Sequence, residues 1–210
     1  MGPVTVIPVN RLDRAKGRLA DLLSVEERAG LQLQTLKTVL AAVRDAGLER
    51  RVLTADETVA RELPGVAVVP EQAALSGLNA QLEAAIEGLR EVLILHADLP
   101  LATAAEVRSL VGSAPPAPSV TMVRSPDGGT NAMLLRPPGR FALAYGPGSH
   151  AKHSAAAAAA GMRVTTVDSP ALSLDLDTRA DVAALLSSGP GRASLAGRYL
   201  LSIGADERLA

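Results

Sequence analysis

The sequence lacks cysteine and tryptophan, and it has only one phenylalanine and two tyrosines among 210 residues. Without cysteine the chain cannot form disulfides, thiolate metal sites or a cysteine nucleophile. The hydrophobic residues make up 48% of the chain, so they must build a core from aliphatic side chains. The length suits one α/β domain with a small appendage.

An excess of charge and a long apolar run are also missing. The formal net charge is -1 and no block of basic residues stands out, which argues against a general nucleic-acid binder. No apolar run reaches the length that spans a membrane, and the N-terminus has no basic segment followed by an apolar region. We therefore expect a cytoplasmic protein without nucleic-acid or membrane partners. Whether it is a monomer or a homodimer stays open.

In the first half of the chain, short apolar runs alternate with helical patterns. Ser24 and Glu27 form a capping box at the start of one helix, and Thr103 and Glu106 form another. This alternation predicts a mostly parallel, doubly wound sheet with right-handed crossovers. The predicted strands are 5–9, 51–54, 66–69 and 92–95.

The second half is less regular. Three prolines interrupt the pattern within residues 112–118, and 120–124 with 132–135 predict an antiparallel hairpin. An alanine-rich run predicts a helix capped by Ser149 and ended by Gly161. Short strands are expected at 164–167 and 172–174, and a last helix follows Asp177 or Thr178 and runs to about 186. We expect a single domain over residues 1–186. Residues 187–210 have no clear pattern, so we expect a mobile tail or a short docking helix there.

Asp98 stands at the end of the most strongly apolar run. Val92 to Leu95 has no period-2 alternation, which is typical of a strand buried on both faces of a parallel sheet. Pro100 cannot donate to a sheet, so the strand should end by Asp98. Ligands of open α/β sheets bind at the carboxyl ends of the strands. A carboxylate there suits Mg²⁺, although a plain turn residue explains it about as well.

The loop after the first strand should lie at the same edge of the sheet. It carries Lys16 and Arg18, which would then face Asp98. A triphosphate needs such cations to offset the charge that builds on departing pyrophosphate. The loop has neither a GxGxxG nor a GxxxxGK[ST] motif, so a dinucleotide fold and a P-loop are both unsupported. A solvated charged loop is the alternative.

Three further stretches are candidates for ligand contacts. Gly77 and Asn79 open a helix and are candidates for contacts to a nucleotide base or ribose, although N-capping explains Asn79 equally well. Two glycine-rich loops, 127–131 and 145–150, suggest a small anionic ligand near a helix start. A hairpin turn and a helix cap are the alternative for these loops. His150 and His153 have no evident third ligand, so zinc is disfavoured.

A second carboxylate for Mg²⁺ is offered by Asp175 or Asp177, of which Asp177 can also be a helix cap. No catalytic base is evident, because G-x-S-x-G and a Ser/His/Asp arrangement are both missing. A phosphate monoester has a second pKa near 6 and is already a nucleophilic dianion at neutral pH. Transfer of a nucleotidyl group onto such an acceptor needs metal and cations rather than a base.

Together these stretches resemble the 2-phospho-L-lactate and phosphoenolpyruvate guanylyltransferase family of coenzyme F-420 biosynthesis, over about residues 4–186. The segment from residue 187 has no counterpart in this resemblance, Asn10 stands where lysine is usual, and His150 stands where an aromatic is usual. The matching motifs are Ile7-Pro-Val with Ala15-Lys16-Gly-Arg18-Leu19, Gly77-Leu-Asn79, Asp98-Leu-Pro100, Gly128-Gly-Thr130-Asn131, Tyr145-Gly146-Pro-Gly-Ser149 with His153, and Leu174-Asp-Leu-Asp177-Thr178.

The resemblance implies a Rossmann-like, three-layer nucleotidyltransferase fold with a small antiparallel addition. It also implies GTP, Mg²⁺ and a phosphorylated three-carbon acid as ligands. Asp98 would bind the metal, and Thr130, Gly146 and Ser149 would hold the acid. The predicted reaction is attack of the acid's phosphate on the α-phosphorus of GTP. The alternatives are 3-phosphoglycerate, a sugar phosphate or molybdopterin as acceptor, or a nucleotide-binding module without activity.

Overall fold

The computed structural model describes residues 2–209, and within them seven strands form one sheet with helices on both faces. The strands are β1 (Val4–Pro8), β2 (Glu49–Thr54), β3 (Ala67–Pro70), β4 (Val92–Leu95), β5 (Ser119–Arg124), β6 (Thr130–Arg136) and β7 (Arg163–Thr166). The helices are α1 (Val25–Asp45), α2 (Glu57–Glu62), α3 (Gly77–Ile86), α4 (Ala104–Gly112), α5 (Ser149–Ala159), α6 (Pro170–Ser173), α7 (Arg179–Ser187), α8 (Gly189–Ala193) and α9 (Leu195–Ser202). Short 3-10 turns lie at Leu12–Arg14, Gly17–Leu19 and Glu207–Leu209.

The order of the strands is β3-β2-β1-β4-β6-β5-β7, and β6 alone runs against its neighbours β4 and β5. The predicted fold class, a mostly parallel sheet with a small antiparallel addition, is confirmed. The reversed strand has a consequence for the site. Because β6 is antiparallel to β4, it begins at the edge where β4 ends, and the backbone N–H of His96 donates to the carbonyl of Asn131 at 3.0 Å. The turn before β6 therefore lies beside Asp98.

Strand β4 is buried on both faces, which explains its unbroken apolar run. Leu93 and Leu95 pack on the side of α1 and α4, and Val92 and Ile94 pack on the side of α3 and α5. All four side chains have no exposed surface. Burying one such side chain stabilises the fold by about 1.5–3 kcal/mol, so this strand is a rigid base for the residues that follow it.

Helix starts follow the predicted capping chemistry at α1 and α7. At α4 only half of the predicted box forms, because Thr103 accepts from Glu106 N–H while the carboxylate of Glu106 accepts from the hydroxyl of Ser169. Ser24 and Glu27 form a complete capping box at the start of α1. At α7 the N-cap is Thr178, whose side chain forms a capping box with Asp181. The choice left open between Asp177 and Thr178 is thus decided, and the carboxylate of Asp177 is free for another role.

Two local predictions were wrong. Residues 172–174 were expected to form a strand, but Leu172 and Ser173 belong to α6 and Leu174 is its C-cap. The helix forms because Pro170 fits the first helical turn and Ser169 accepts a hydrogen bond from Leu172 N–H. Ser149 was expected to cap α5, but the N-cap is Gly148, in a left-handed conformation with φ 66°. Ser149 is the first helical residue, so its side chain is free to point elsewhere.

The segment from residue 187 is helical, which matches the docking-helix alternative rather than the mobile tail. Helix α9 packs on α1, and the Tyr199 hydroxyl donates to the carbonyl oxygen of Glu27 at 3.1 Å. Arg208 donates to both carboxylate oxygens of Glu27 at 2.8 and 2.9 Å. Besides the two hydrophobic cores on either side of β4, a separate hydrophobic cluster lies beneath these contacts, with Leu31 and Leu200 among its members. None of the helices in the described residues is long and apolar enough to cross a membrane.

Candidate active site

Three carboxylates meet at the carboxyl end of β4. Asp98, Asp175 and Asp177 each offer an oxygen, and these oxygens lie within 4.8 Å of one another. Asp98 follows β4, and the other two belong to the loop between α6 and α7. The N–H of Leu176 donates to the backbone carbonyl of Asp98 at 3.2 Å, which fixes this loop against the strand end. The structure thus brings both candidates for the second carboxylate to Asp98.

Lys16 lies among these carboxylates. Its Nζ donates to the carbonyl oxygen of Leu176 at 2.6 Å and is 3.6 Å from Asp98 Oδ2 and 3.5 Å from Asp177 Oδ1. The side chain is only 1% exposed. Among residues 2–209, Lys16 is the only non-glycine residue with positive φ, at 50°. Such a conformation costs about 1–3 kcal/mol and persists where the surroundings enforce it, which is common at functional sites.

Negative charge in this cluster exceeds what Lys16 neutralises. Burial, together with the charges of Asp98 and Asp177, raises the pKa of Asp175 to about 6. Burial is also the main reason that the pKa of Asp177 is raised, followed by the charge of Asp98, while Lys16 and Arg18 lower it. Like charges that are held together in this way bind a cation readily.

The same cluster fits a divalent metal ion. Its donors are carboxylate oxygens, the ligands that Mg²⁺, Ca²⁺ and Mn²⁺ prefer. Asp98 Oδ1 is buried, and it accepts no hydrogen bond from the described residues. A buried acceptor without a donor is costly, so a cation beside it would relieve that cost. Within residues 2–209 this is the only cluster of three or more His, Cys, Asp or Glu residues with metal-binding spacing.

Without divalent metal, replacing Asp175 by Asn should raise the melting temperature near pH 7.5 and change it little near pH 4. The pKa of Asp175 is raised from 3.8 to about 6 in the folded protein. Its contribution to stability is therefore fully present below about pH 4 and is lost as the pH rises through about 6. Thermal melts in EDTA across this range measure the effect, with exposed Asp168→Asn as the control. A variant less stable than the wild type at neutral pH would contradict this electrostatic account.

A cavity of about 560 Å³ opens beside Asp98, between the loop after β1 and the start of α3. This volume is typical of small-ligand sites. Lys16, Asp98 and Asp177 are among the residues that line it. Its remaining lining residues are Pro8, Val9, Asn10, Arg14, Ala15, Gln32, Glu71, Leu75, Gly77, Leu78, Gln81, His96 and Ala97.

Most lining residues were not among the predicted site residues, and Arg14 and His96 are two of them that carry basic side chains. Arg14 lies two residues before Lys16 in the loop after β1, and this position close to other cations is what could have indicated its role. His96 follows β4 directly, and its buried Nε2 has no hydrogen-bond partner among the described residues. Burial is the main reason that the pKa of His96 lies below its usual value. Arg18 is exposed. The hydrogen bond with Ser125 is the main reason that the pKa of Asp127 is lowered, and the charge of Arg18 adds to this effect. The charge of Arg18 also opposes the rise in the pKa of Asp177.

The start of α3 connects this cavity to the second glycine-rich loop. Gly77 has φ 82° and lines the cavity. Asn79 Oδ1 accepts from the N–H of Tyr145 at 2.8 Å, and Asn79 Nδ2 donates to the carbonyl oxygen of Tyr145 at 3.3 Å. The amide of Asn79 thus holds the loop of residues 145–150 in place. Its predicted contact with a nucleotide stays a prediction.

The two glycine-rich loops lie side by side. The N–H of His150 donates to the carbonyl oxygen of Gly128 at 3.2 Å. Ser149 Oγ is 3.1 Å from Thr130 Oγ1, and both residues are at most 2% exposed. Gly146, with φ 129°, precedes them in a backbone conformation that suits glycine. The structure therefore brings two of the predicted acid-binding residues into direct contact, with the third on the same loop.

The histidines at 150 and 153 do not share a ligand. His153 Nδ1 is 3.1 Å from Thr130 Oγ1, and His153 Nε2 accepts from the N–H of Ala144 at 2.9 Å. His150 Nε2 is 2.9 Å from Thr166 Oγ1. Both nitrogens of His153 are therefore occupied within the protein, which agrees with the earlier argument against zinc.

Asn131 belongs to one of the matching motifs, but no role for it was predicted from the sequence. It is 2% exposed, and its Nδ2 donates to the carbonyl oxygens of Leu172 at 3.1 Å and Ser173 at 2.8 Å. Its side chain also lies near enough to Asp175 to oppose the rise in the pKa of that carboxyl group, which burial mainly causes. Asn131 thus ties the start of β6 to the loop that carries two of the carboxylates.

Comparison with known proteins gives relatives that match nearly the whole chain. The chain is 42% identical over 200 residues to phosphoenolpyruvate guanylyltransferase from Rubrobacter xylanophilus, covering 90% of this chain and 96% of that protein. It is 34% identical over 190 residues to 2-phospho-L-lactate guanylyltransferase from Methanoregula boonei, covering 90% and 83%. A crystal structure named as a nucleotide-diphospho-sugar transferase, from Desulfovibrio desulfuricans G20, has the same fold, with a TM-score of 0.79 at 15% identity over 100% of this chain and 97% of that one.

The family model described as "Guanylyl transferase CofC like" matches residues 4–209. The match continues through the C-terminal helices, so the prediction that the segment from residue 187 has no counterpart was wrong. The combined length and identity of these matches leave one assignment: the chain belongs to the CofC-like guanylyl transferase family.

Proposed function

We propose that this protein transfers GMP from GTP to the phosphate of phosphoenolpyruvate, giving enolpyruvoyl-2-diphospho-5'-guanosine and pyrophosphate in coenzyme F-420 biosynthesis. The observation that carries this proposal is the meeting of three features at one sheet edge. The first feature is the carboxylate cluster of Asp98, Asp175 and Asp177, and the second is the cavity of about 560 Å³ beside it. The third is the buried hydroxyl pair of Thr130 and Ser149. The relative named phosphoenolpyruvate guanylyltransferase, at 42% identity, supports the choice of substrates.

On the nucleotide side, the three carboxylates would hold Mg²⁺, with Asp98 and Asp177 as the principal ligands and Asp175 as the third. When bound, Mg²⁺ neutralises charge on the triphosphate and on the departing pyrophosphate. The charge of Lys16 stabilises the neighbouring carboxylates of Asp98 and Asp177, and its side chain also lines the cavity. Arg18 is free to contact the triphosphate from the exposed rim.

The nucleoside would lie further along the cavity. Gly77 lines it at the start of α3. A glycine there lets a ligand approach the backbone closely. Asn79 is two residues on, and we propose that nucleotide binding at this helix start is coupled to the acid loop through its contact with Tyr145.

On the acceptor side, Thr130, Gly146 and Ser149 would hold the acid with its phosphate directed at the α-phosphorus. An oxygen of the acceptor phosphate forms a bond to the α-phosphorus, and the bond from that phosphorus to the β-bridging oxygen breaks. Because the acceptor is already a dianion near neutral pH, no protein base has to remove a proton. The protein contributes position and charge, which account for most of the rate in phosphoryl-type transfers.

The second candidate acceptor is 2-phospho-L-lactate, because the Methanoregula boonei relative bears that name. The reaction would be the same and the product would be lactyl-2-diphospho-5'-guanosine. Pyrophosphate release with GTP and each acid in parallel separates the two, with 3-phosphoglycerate as a third arm. A clearly higher kcat/KM with phosphoenolpyruvate is expected. A higher value with 2-phospho-L-lactate would move the substrate and keep the reaction.

Replacing Ser149 by Ala should raise the KM for the acid by about tenfold or more, since a hydrogen bond to a charged group is worth about 1.5–3 kcal/mol. The KM for GTP should change far less. Ser154→Ala is the matched control, because Ser154 lies on the same helix and its hydroxyl donates to the carbonyl oxygen of His150 at 2.8 Å. Equal effects of Ser149→Ala on both substrates would contradict the placement of the acid.

We also propose that the chain forms a single nucleotidyltransferase domain over residues 1–186, to which the helices from residue 187 are fixed as an appendage. The contacts of Tyr199 and Arg208 with Glu27 support this arrangement. The proposed substrates are metabolites of the cell interior, which supports a cytoplasmic location.

A further inference from the structure

His153 lies completely buried beneath the hydroxyl pair of Thr130 and Ser149. Its Nδ1 is 3.1 Å from Thr130 Oγ1, and its Nε2 is 2.9 Å from the backbone nitrogen of Ala144. The ring is also packed edge-on against Tyr145, with ring centroids 4.8 Å apart. These contacts leave the imidazole no freedom to rotate.

The contact with Ala144 determines where the imidazole carries its proton. A backbone N–H can only donate, so Nε2 must accept and cannot itself hold a proton. The neutral ring then carries its proton on Nδ1, and Nδ1–H donates to Thr130 Oγ1. Burial, followed by the charges of His150, His96 and Lys152, lowers the pKa of His153 to about 4, which agrees with a neutral ring.

The two hydroxyls above the ring have two protons between them. One proton forms the 3.1 Å hydrogen bond that joins Thr130 and Ser149. In the part of the chain that the structure describes, the second proton has no acceptor other than His153 Nδ1, and in this tautomer Nδ1 is a donor. That proton is left for a ligand. In the opposite tautomer Nδ1 would accept it, and the pair would have nothing to donate.

We propose that His153 is a positioning residue whose fixed tautomer makes the Thr130–Ser149 pair a hydrogen-bond donor to the anionic acid substrate. The inference rests on the proposed function, since it takes the acid to bind at these loops. The ligand chemistry that fits is a carboxylate or phosphate oxygen, because such a group accepts hydrogen bonds and donates none when ionised. His153 touches the hydroxyl pair and not the acid.

Two substitutions separate this role from a merely structural one. In His153→Asn the amide NH2 can take the place of Nδ1–H at Thr130 while the contact with Ala144 is lost. In His153→Gln the longer side chain can accept from Ala144 while the donor to Thr130 is lost. Each variant loses one buried hydrogen bond, so the two should melt at similar temperatures.

Steady-state kinetics of pyrophosphate release then distinguish the outcomes. We expect His153→Gln to raise the KM for phosphoenolpyruvate about tenfold or more, by loss of one oriented donor to an anion, with the KM for GTP within about twofold. We expect His153→Asn to restore most of the acid affinity. Equal increases in the KM for the acid in both variants, or none in either, would overturn the inference even if Ser149→Ala behaves as proposed.

A second measurement is independent of turnover. The chain has three histidines, so the spectrum of a sample labelled with ¹⁵N-histidine is simple. The resonances of His153 are those that disappear in His153→Gln. A proton on Nδ1 supports the inference, and a proton on Nε2 overturns it. If the wild type releases no pyrophosphate with any acid, the proposed function fails, and this spectrum still decides the state of the ring.

Discussion

Replacing Asp98 by Asn should lower kcat by about a hundredfold or more and leave the fold intact. The backbone carbonyl that holds Leu176 is unaffected, and Asn has nearly the same shape. The substitution removes the negative charge of Asp98 from the carboxylate cluster. It thereby also changes the environment of the buried Oδ1, which accepts no hydrogen bond from the described residues. Metal stabilisation of transition-state charge is worth several kcal/mol, and about 3 kcal/mol corresponds to roughly a hundredfold in rate.

The matched control for this variant is Asp168→Asn, an exposed aspartate after β7 that belongs to no cluster. It should retain wild-type turnover. Calorimetric titration with Mg²⁺ should show weaker binding in Asp98→Asn alone. A folded Asp98→Asn protein with near-normal turnover would remove Asp98 from the metal site and from the reaction.

Replacing Lys16 by Met should both destabilise the protein and abolish most of its activity. Met keeps the length of the side chain but removes the ammonium group from a place that is 1% exposed. Removing one partner of a fully buried ion pair costs about 3–5 kcal/mol. The loss here should be smaller, because the side chains of Asp98 and Asp177 are 20% and 39% exposed. The carbonyl oxygen of Leu176 also loses its donor at 2.6 Å. Loss of order in the carboxylate loop should then reduce turnover as strongly as loss of charge does.

The destabilisation by Lys16→Met should depend on pH. Lys16 lowers the pKa of Asp177 against the larger effect of burial, so its loss raises that pKa further. A carboxyl group with a raised pKa in the folded state favours folding at low pH and loses that contribution as the pH rises. In EDTA, the gap in melting temperature between wild type and variant should widen from about pH 4.5 to about pH 7.5. Lys37→Met on α1 is the control, and a gap that is constant with pH would contradict the electrostatic role.

The position of Asp98 was predictable because its signals are local. An apolar run followed by Asp-Leu-Pro fixes where β4 ends, whatever the rest of the chain does. Asp175 and Asp177 were harder to assign, because their approach to Asp98 depends on long-range contacts. These are the backbone hydrogen bond from Leu176 and the amide of Asn131, which sequence spacing does not reveal. The sequence therefore offered two candidates, and the structure brings both of them to Asp98.

The hairpin was also predicted, but its place in the sheet was not. Nothing in the pattern of β5 and β6 indicates that β6 inserts next to β4, and this insertion is what brings Thr130 to the same edge as Asp98. The sequence left the C-terminal segment open between a mobile tail and a docking helix for a related reason. Helices α8 and α9 are short and contain glycines, so their intrinsic preference for helix is low. Packing of α9 on α1, and of α8 on α7 and α9, stabilises them, which is a tertiary effect.

The central claim is that the acid phosphate attacks the α-phosphorus of GTP at this carboxylate edge. The most direct test is mass spectrometry of the products formed from GTP, Mg²⁺ and phosphoenolpyruvate labelled with ¹⁸O in its phosphate. The account predicts a product in which GMP is joined to the acid phosphate with all of the label, together with unlabelled pyrophosphate. Label in the pyrophosphate, or release of GMP without a joined product, would contradict it.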